Sequence, residues 1–219
     1  MRRLSFAILG AGLTAGAFAQ TFGPGAGGAI PDGILTNTTP GVLSTTINVA
    51  GAANIASFNW LDVTFTSHTW SGDVEVELVS PGGVMTHAFA RVRGTGTTTF
   101  GDSSDLIGTY RFVDSGGADF NAAAVAADAI TAIAPGTYNR STTLADQVGG
   151  LPLINNNPFS IYNGTSPNGV WTLNVRDWAQ FDTGTFGSWS FNTTPVPEPA
   201  SMVALGIGAL ALLRRRRKA

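Results

Sequence analysis

The chain has 219 residues, of which 12% are charged, 43% hydrophobic and 10% aromatic. It has no cysteine, which excludes disulfide scaffolds, thiol redox enzymes, cysteine proteases and cysteine-ligated zinc sites. The formal net charge is -2, but basic residues at both ends mask a middle that is distinctly acidic. That acidic middle argues against a nucleic acid partner, because it would repel phosphates.

The N-terminus has the order of parts of a secretory signal peptide. Arg2 and Arg3 precede an apolar stretch, which ends at Ala19 with the small-x-small pattern of a cleavage site. A buried N-terminal helix would also be apolar, but it would not need this order. We predict that signal peptidase removes residues 1–19 and that the exported protein begins at Gln20.

The C-terminus combines three parts in sequence. Pro197, Glu198 and Pro199 precede an apolar run over 200–213, and a basic cluster follows directly. As a helix the run is ~21 Å long, shorter than the ~30 Å hydrocarbon core of a bilayer. It spans a membrane only if its flanks extend it and the arginines snorkel. A core helix with a solvated basic tail and a permanent anchor are the alternatives.

This order resembles the PEP-CTERM sorting signal, and the resemblance covers residues 195–219. It implies that a short transmembrane helix holds the precursor transiently in the inner membrane. An exosortase, a cysteine transpeptidase-like membrane enzyme, would then cut near Pro197, Glu198 and Pro199. The resemblance implies a Gram-negative-type bacterium and a product at the cell surface or in an extracellular polysaccharide matrix. Whether the tail is cut or kept as an anchor stays open.

Between these ends the sequence predicts short β-strands. Leu61, Val63 and Phe65 alternate with polar residues, and similar alternation recurs at 74–78 and 171–176. Strands are also predicted at 42–49, 84–92, 110–113 and around 189–191, with turn residues between them. We predict an all-β protein, a jelly-roll-like β-sandwich over residues 45–194.

Other segments show no clear periodicity of apolar and polar residues. Residues 20–44 are rich in glycine and threonine, and we interpret them as a flexible lead to the sandwich. Residues 94–109 and the alanine-rich stretch 118–133 are predicted as loops, because neither carries a strong apolar stripe.

The middle of the chain resembles the P domain of proprotein convertases and bacterial secreted proteases. The resemblance rests on residues 67–74, with their His-Thr pair and Gly-Asp turn, and on the Ser-Pro-Gly turn at 80–83. Residues 168–177 add a Gly-x-Trp-x-Leu strand. The resemblance to P domains implies a jelly-roll-like sandwich that stabilises or adapts a catalytic domain, although this sequence carries no neighbouring protease domain.

The residues give little support to catalysis. His68 and His87 are the two available imidazoles, and no Gly-x-Ser-x-Gly elbow exists. Glu75 and Glu77 share one strand face and could form a carboxylate pair for glycoside cleavage. Their alternation with apolar residues predicts a solvated face instead. We predict that the protein is not an enzyme.

Aspartates suggest a calcium site. Asp177, Gln180 and Asp182 lie on one turn between strands, and Asp73 could join them if the fold brings it near. Calcium binds six to eight oxygens from such groups. The resemblance adds that some bacterial P-domain relatives bind calcium. The alternative is that these aspartates cap their own turns.

Two tryptophans suggest a carbohydrate platform. Trp70 and Trp178 fall in predicted turns, where exposed rings could stack on sugars, although the more common role of such rings is to cover strand ends. Two functions follow: a non-catalytic surface or matrix protein, or a polysaccharide-binding module assisted by calcium. The predicted partners are signal peptidase, exosortase and extracellular polysaccharide.

Overall fold

The computed structural model describes residues 18–34, 39–93, 101–127, 131–141, 157–197 and 206–208. Its elements are β1 (Gln20–Ile30), β2 (Gly41–Val49), β3 (Ile55–His68), β4 (Val74–Val79), β5 (Met85–Ala90), β6 (Gly108–Val113), α1 (Phe120–Ala127), β7 (Gly136–Asn139), β8 (Gly169–Asp177) and β9 (Gly184–Pro195). Short 3-10 turns cover Ser71–Asp73 and Phe159–Tyr162. Among these residues no helix has the length and apolarity needed to cross a bilayer.

The strands form two sheets around one core. One sheet has the order β1-β9-β3-β6-β7 and the other β2-β8-β4-β5. The pairings are antiparallel, except that β6 and β7 run parallel. The predicted all-β sandwich is confirmed, and this is the kind of fold that the resemblance to P domains implies.

The alternating residues meet in the core. Leu61, Val63 and Phe65 are fully buried, and so are the inward residues of β4 and β8. Phe58 stacks on Phe191, with ring centroids 5.6 Å apart and an interplanar angle of 4°. Burying each such ring stabilises the fold by roughly 1.5–3 kcal/mol. The apolar alternation therefore positions both sheets.

The predicted flexible lead is wrong for residues 20–30, which form β1. This strand pairs with β9 from Gln20, opposite Thr193, to Ile30, opposite Gly184. A Cβ on Gly25 or Gly27 would collide with β9, at the Trp189 ring or the backbone of Gly187 respectively. The glycines that suggested flexibility are thus what allows β1 to approach β9 closely.

The predicted loop over 118–133 is also wrong in part, because α1 occupies Phe120–Ala127. Phe120 and Ala124 lie one turn apart on the buried face. The Asp119 carboxylate accepts a hydrogen bond from the Ala122 amide at 3.1 Å, as at a helix N-terminus. A stripe made of alanine and one phenylalanine has too little contrast to show in the sequence.

The sandwich has two different ends. At the terminal end, Pro195 pairs with Ile55 and Gln20 with Thr193, so the predicted N-terminus lies beside the start of the sorting signal. At the opposite end β3 finishes next to the start of β9. We call this the acidic end, defined by Asp32, Asp73, Asp177 and Asp182. The signal peptide up to residue 17, and the apolar run except helical residues 206–208, lie outside the described residues.

Candidate functional site

Sheet pairing brings distant aspartates together at the acidic end. Val74 is paired with Asp177, so the residue before β4, Asp73, lies beside the end of β8. The Trp178 amide donates to the Asp73 carbonyl at 2.9 Å, which fixes the start of the turn between β8 and β9. The Phe181 amide donates to an Asp32 carboxylate oxygen at 3.1 Å, which attaches the segment after β1.

His68 and Asp177 form a buried pair at this end. The His68 Nε2 lies 3.1 Å from Asp177 Oδ2, and both side chains are fully buried. The Trp70 amide donates to His68 Nδ1 at 3.2 Å, so Nε2 carries the proton given to Asp177. Burial raises the pKa of Asp177, and the hydrogen bond from His68 only partly offsets this rise.

Asp73 is the least compensated carboxylate of the acidic end. It is 1% exposed, and its Oδ1 is a buried atom for which the described protein offers no hydrogen-bond partner. Burial, followed by the charge of Asp177, raises the pKa of Asp73 to about 8, against the opposing effect of Arg91. The Gln180 Oε1 is likewise buried without a partner within the described residues. Two oxygens here thus have unused acceptor capacity.

Asp182 and Asp32 line the outer part of the acidic end. Asp182 accepts a hydrogen bond from the Thr69 hydroxyl at 2.9 Å, and Asp32 accepts one from the Phe181 amide. The negative charges of both carboxylates raise the pKa of Asp73, so both side chains lie close enough to Asp73 to influence its ionisation. The structure therefore gathers the predicted residues Asp73, Asp177 and Asp182 at one end and adds Asp32, which the sequence did not indicate.

The prediction that Glu75 and Glu77 form a solvated face is wrong, because they are only 5% and 6% exposed. Arg176 bridges them, with Nη1 at 2.6 Å from Glu75 and Nη2 at 2.9 Å from Glu77. His87 Nε2 lies 2.9 Å from Glu75 and 3.6 Å from Glu77. We call these side chains, with Trp178, the glutamate network. Alternation identified the outward face of β4 but not the partners that cover it.

Several donors hold the two glutamates: Arg176 and His87 contact both of them, and the Trp178 indole N–H donates to Glu75. Burial alone would raise the pKa of Glu75, but His87 and then Arg176 lower it below its usual value. A glycosidase needs one carboxyl whose pKa is raised to serve as acid. Glu75, Glu77 and His87 also bring ligand atoms within 4.8 Å of one another, the geometry of a metal site. The Arg176 guanidinium already forms ion pairs with both glutamates, so a cation would compete with it for the same carboxylates.

Neither predicted platform tryptophan is exposed. Trp178 was predicted as an exposed platform, which is wrong: it is 6% exposed, and its indole N–H donates to Glu75 at 2.7 Å. Trp70 is half-buried at the acidic end. Phe181, which the sequence analysis passed over, is 79% exposed next to Asp182, with φ of 88°, a region that non-glycine residues rarely adopt. The exposed ring of this end is therefore Phe181.

The pairing of Glu77 with His87 was missed in the sequence, but it could have been found by counting residues outward from the hairpin turn. The turn at 80–83 closes a hairpin in which Val79 faces Met85, and continuing outward places Glu77 opposite His87. Arg176 lies on β8, about a hundred residues further along the chain, and no local signal connects it to the hairpin.

Comparison with known proteins identifies the C-terminus. Residues 195–218 match the PEP-CTERM protein-sorting motif, which confirms the resemblance drawn from the sequence. The motif indicates a protein that is exported through the membrane to the surface or beyond and processed by an exosortase. A comparison with curated proteins gives no match.

The solved structures that match this chain include a serine protease of Aeromonas sobria in complex with a chaperone, and a serine protease of Aeromonas sobria alone. The identities are 13% and 14%, and the TM-score is 0.34 for both. Each comparison covers 81% of this chain and 27% of the protease chain, so this chain spans about a quarter of those proteins.

Proposed function

We propose that this chain is an exported surface or matrix protein whose β-sandwich is non-catalytic and whose tail is removed after export. The observation that carries this proposal is the sorting motif, which starts where β9 ends. The fold adds an arrangement that suits display. Both predicted processing sites, at Gln20 and Pro197, lie at the terminal end, so the acidic end would face away from the membrane of the precursor.

The chemistry of the histidines supports a non-catalytic role. A hydrolytic triad needs an imidazole nitrogen that can take a proton from a nucleophile. In His68, Nδ1 accepts a hydrogen bond from the Trp70 amide and Nε2 donates one to Asp177. His87 is 3% exposed and is held by Glu75 and Glu77. Neither ring is presented to a substrate at an open surface.

Changing Glu198 to Ala is expected to leave the full-length precursor in the membrane fraction, because the residue is the glutamate of the Pro197-Glu198-Pro199 triplet within the sorting motif. The measurement is cell fractionation with immunoblotting in a producer that has an exosortase. Asp119→Asn, which neutralises an exposed carboxylate outside the motif, is the matched control and should be released like the parent. Normal release of the Glu198→Ala protein would contradict the proposal.

A second candidate function is calcium-assisted binding of polysaccharide at the acidic end. Asp73 Oδ1 and Gln180 Oε1 are buried oxygens with unused capacity, and Asp177 and Asp182 bring negative charge to the same place. No three described Asp, Glu or His side chains of the acidic end come as close together as Glu75, Glu77 and His87 do, so carbonyl or water oxygens would complete the shell of six to eight. Exposed Phe181 would supply the stacking surface for a sugar.

Millimolar calcium is expected to raise the Tm by about 5–11 °C, whereas magnesium should do much less. A hundredfold excess over Kd adds about 2.7 kcal/mol, at roughly 2–4 °C per kcal/mol. Asp182→Asn should abolish this increment, and the exposed Asp119→Asn should retain it. Equal shifts in Tm with calcium and magnesium would contradict this candidate.

Binding to the producer's polysaccharide should require calcium, and it should be weaker in Phe181→Gly, a change that also relieves the positive φ.

A further inference from the structure

The sorting motif begins at the last hydrogen-bonded residues of the sandwich. Pro195 is the final residue of β9 and pairs with Ile55 of β3. The Val196 amide still donates to the Asn54 carbonyl at 2.7 Å. Only Val196 therefore separates β9 from Pro197, and Val196 is itself hydrogen-bonded to the sandwich.

The end of β9 is held on both sides. Thr193 faces Gln20 of β1, and Thr194 faces Ser57 of β3. A protein-cleaving enzyme takes its substrate as an extended chain in its own cleft, so a folded segment is cut through a locally opened state. For a cut near Pro197, the residues that must enter the cleft before the scissile bond are those of β9 itself.

We propose that residues 193–196 unpair from β1 and β3 before the tail is cut, so that opening of the terminal end controls release. This inference rests on the proposed processing by an exosortase. The cut breaks one peptide bond: the acyl side passes through the enzyme's thiol to water or an amine, and the tail leaves with a protonated amine. The opening step itself breaks only hydrogen bonds and packing contacts of the sandwich.

The composition of β9 suits such an opening. Its buried aromatic residues end at Phe191, which stacks within the core. Beyond it lie Asn192, two threonines and Pro195, which lacks an amide hydrogen to donate to either neighbour. Thr193 is still buried, whereas Thr194 and Pro195 are half-buried, so unpairing 193–196 displaces no aromatic residue of β9 and can remain local to the terminal end.

The test is a disulfide across the end of β9. The chain has no cysteine of its own, so a Ser57→Cys/Thr194→Cys pair has no competitor in the oxidising compartment reached by export. The matched control is Thr64→Cys/Ser188→Cys, a facing pair on the same two strands away from the motif. Non-reducing gels verify both cross-links, and the fraction of precursor with an intact tail is followed over time in exosortase-producing cells.

We expect the cross-link at the terminal end to slow tail removal at least tenfold, and the control cross-link to leave it at the parental rate. A reductant, or a six-residue Gly-Ser insertion between Val196 and Pro197, should restore processing of the terminal pair. Processing of the oxidised Ser57/Thr194 pair at the parental rate would overturn the inference. If the parent itself keeps its tail, the proposed function fails, and the inference that rests on it fails as well.

Discussion

Replacing Arg176 with Met is expected to lower the free energy of unfolding by about 3 kcal/mol or more, because it leaves two carboxylates buried without their counter-charge. Arg176 bonds both Glu75 and Glu77, whereas His87 reaches Glu77 only at 3.6 Å. Methionine keeps much of the stem's packing but removes the charge. Urea unfolding of the purified sandwich at pH 7 measures the loss.

Two control variants isolate the buried charge as the cause. Arg111 also pairs with a carboxylate, Asp62, but is 41% exposed, so Arg111→Met should cost less than about 1 kcal/mol. Adding Glu75→Gln and Glu77→Gln to the Arg176 variant should recover much of the lost stability, because the stranded charges disappear. Equal losses for the two arginine variants would show that the glutamate network is no more than a surface ion pair.

Without calcium, the stability of the protein is expected to fall as pH rises from about 4 toward 8, owing to Asp73. The pKa of this carboxyl is about 8 in the folded protein, against about 3.9 in an unfolded chain. Between these values the native state holds a proton that the unfolded state has lost. The stabilisation is therefore fully present below about pH 4 and is lost as pH rises through 8, at up to roughly 1.4 kcal/mol per unit.

Asp73→Asn should reduce this slope, since an amide needs no proton to stay neutral, whereas Asp177, whose pKa burial also raises, keeps its own contribution. The free energy of unfolding is measured by urea titration at pH 5, 6, 7 and 8 in a chelator. Asp119→Asn, which removes one exposed charge next to α1, should show the same dependence of the free energy of unfolding on pH as the parent. If Asp73→Asn also runs parallel to the parent, the carboxyl is not held in its neutral form by the acidic end.

Strand positions were largely predictable, because period-two alternation reports directly which side chains face a core. The inward set of β4 was predicted for this reason, and Val74, Val76 and Leu78 are fully buried. The outward set was not, because exposure of a second face depends on what lies over it. The burial of Glu75 is decided by Arg176 and Trp178, which lie on or next to a strand far away in the sequence.

Glycine explains the other main difference between sequence and structure. In β1, glycine is required by close approach to Trp189 and the backbone of β9, a reason that only the partner strand reveals. At the acidic end the sequence did better, since it placed Asp177 and Asp182 on one turn between strands, which is the connection between β8 and β9. It could not supply Asp32, whose position depends on β1 pairing with β9.

The most direct test of processing after export is the intact mass of the protein recovered from the cell surface and medium, with both termini sequenced by mass spectrometry. The account predicts a chain that starts at Gln20 and ends near the Pro197-Glu198-Pro199 motif, without the basic residues Arg214–Lys218. A surface form that starts at Met1, or that keeps Lys218, would contradict it.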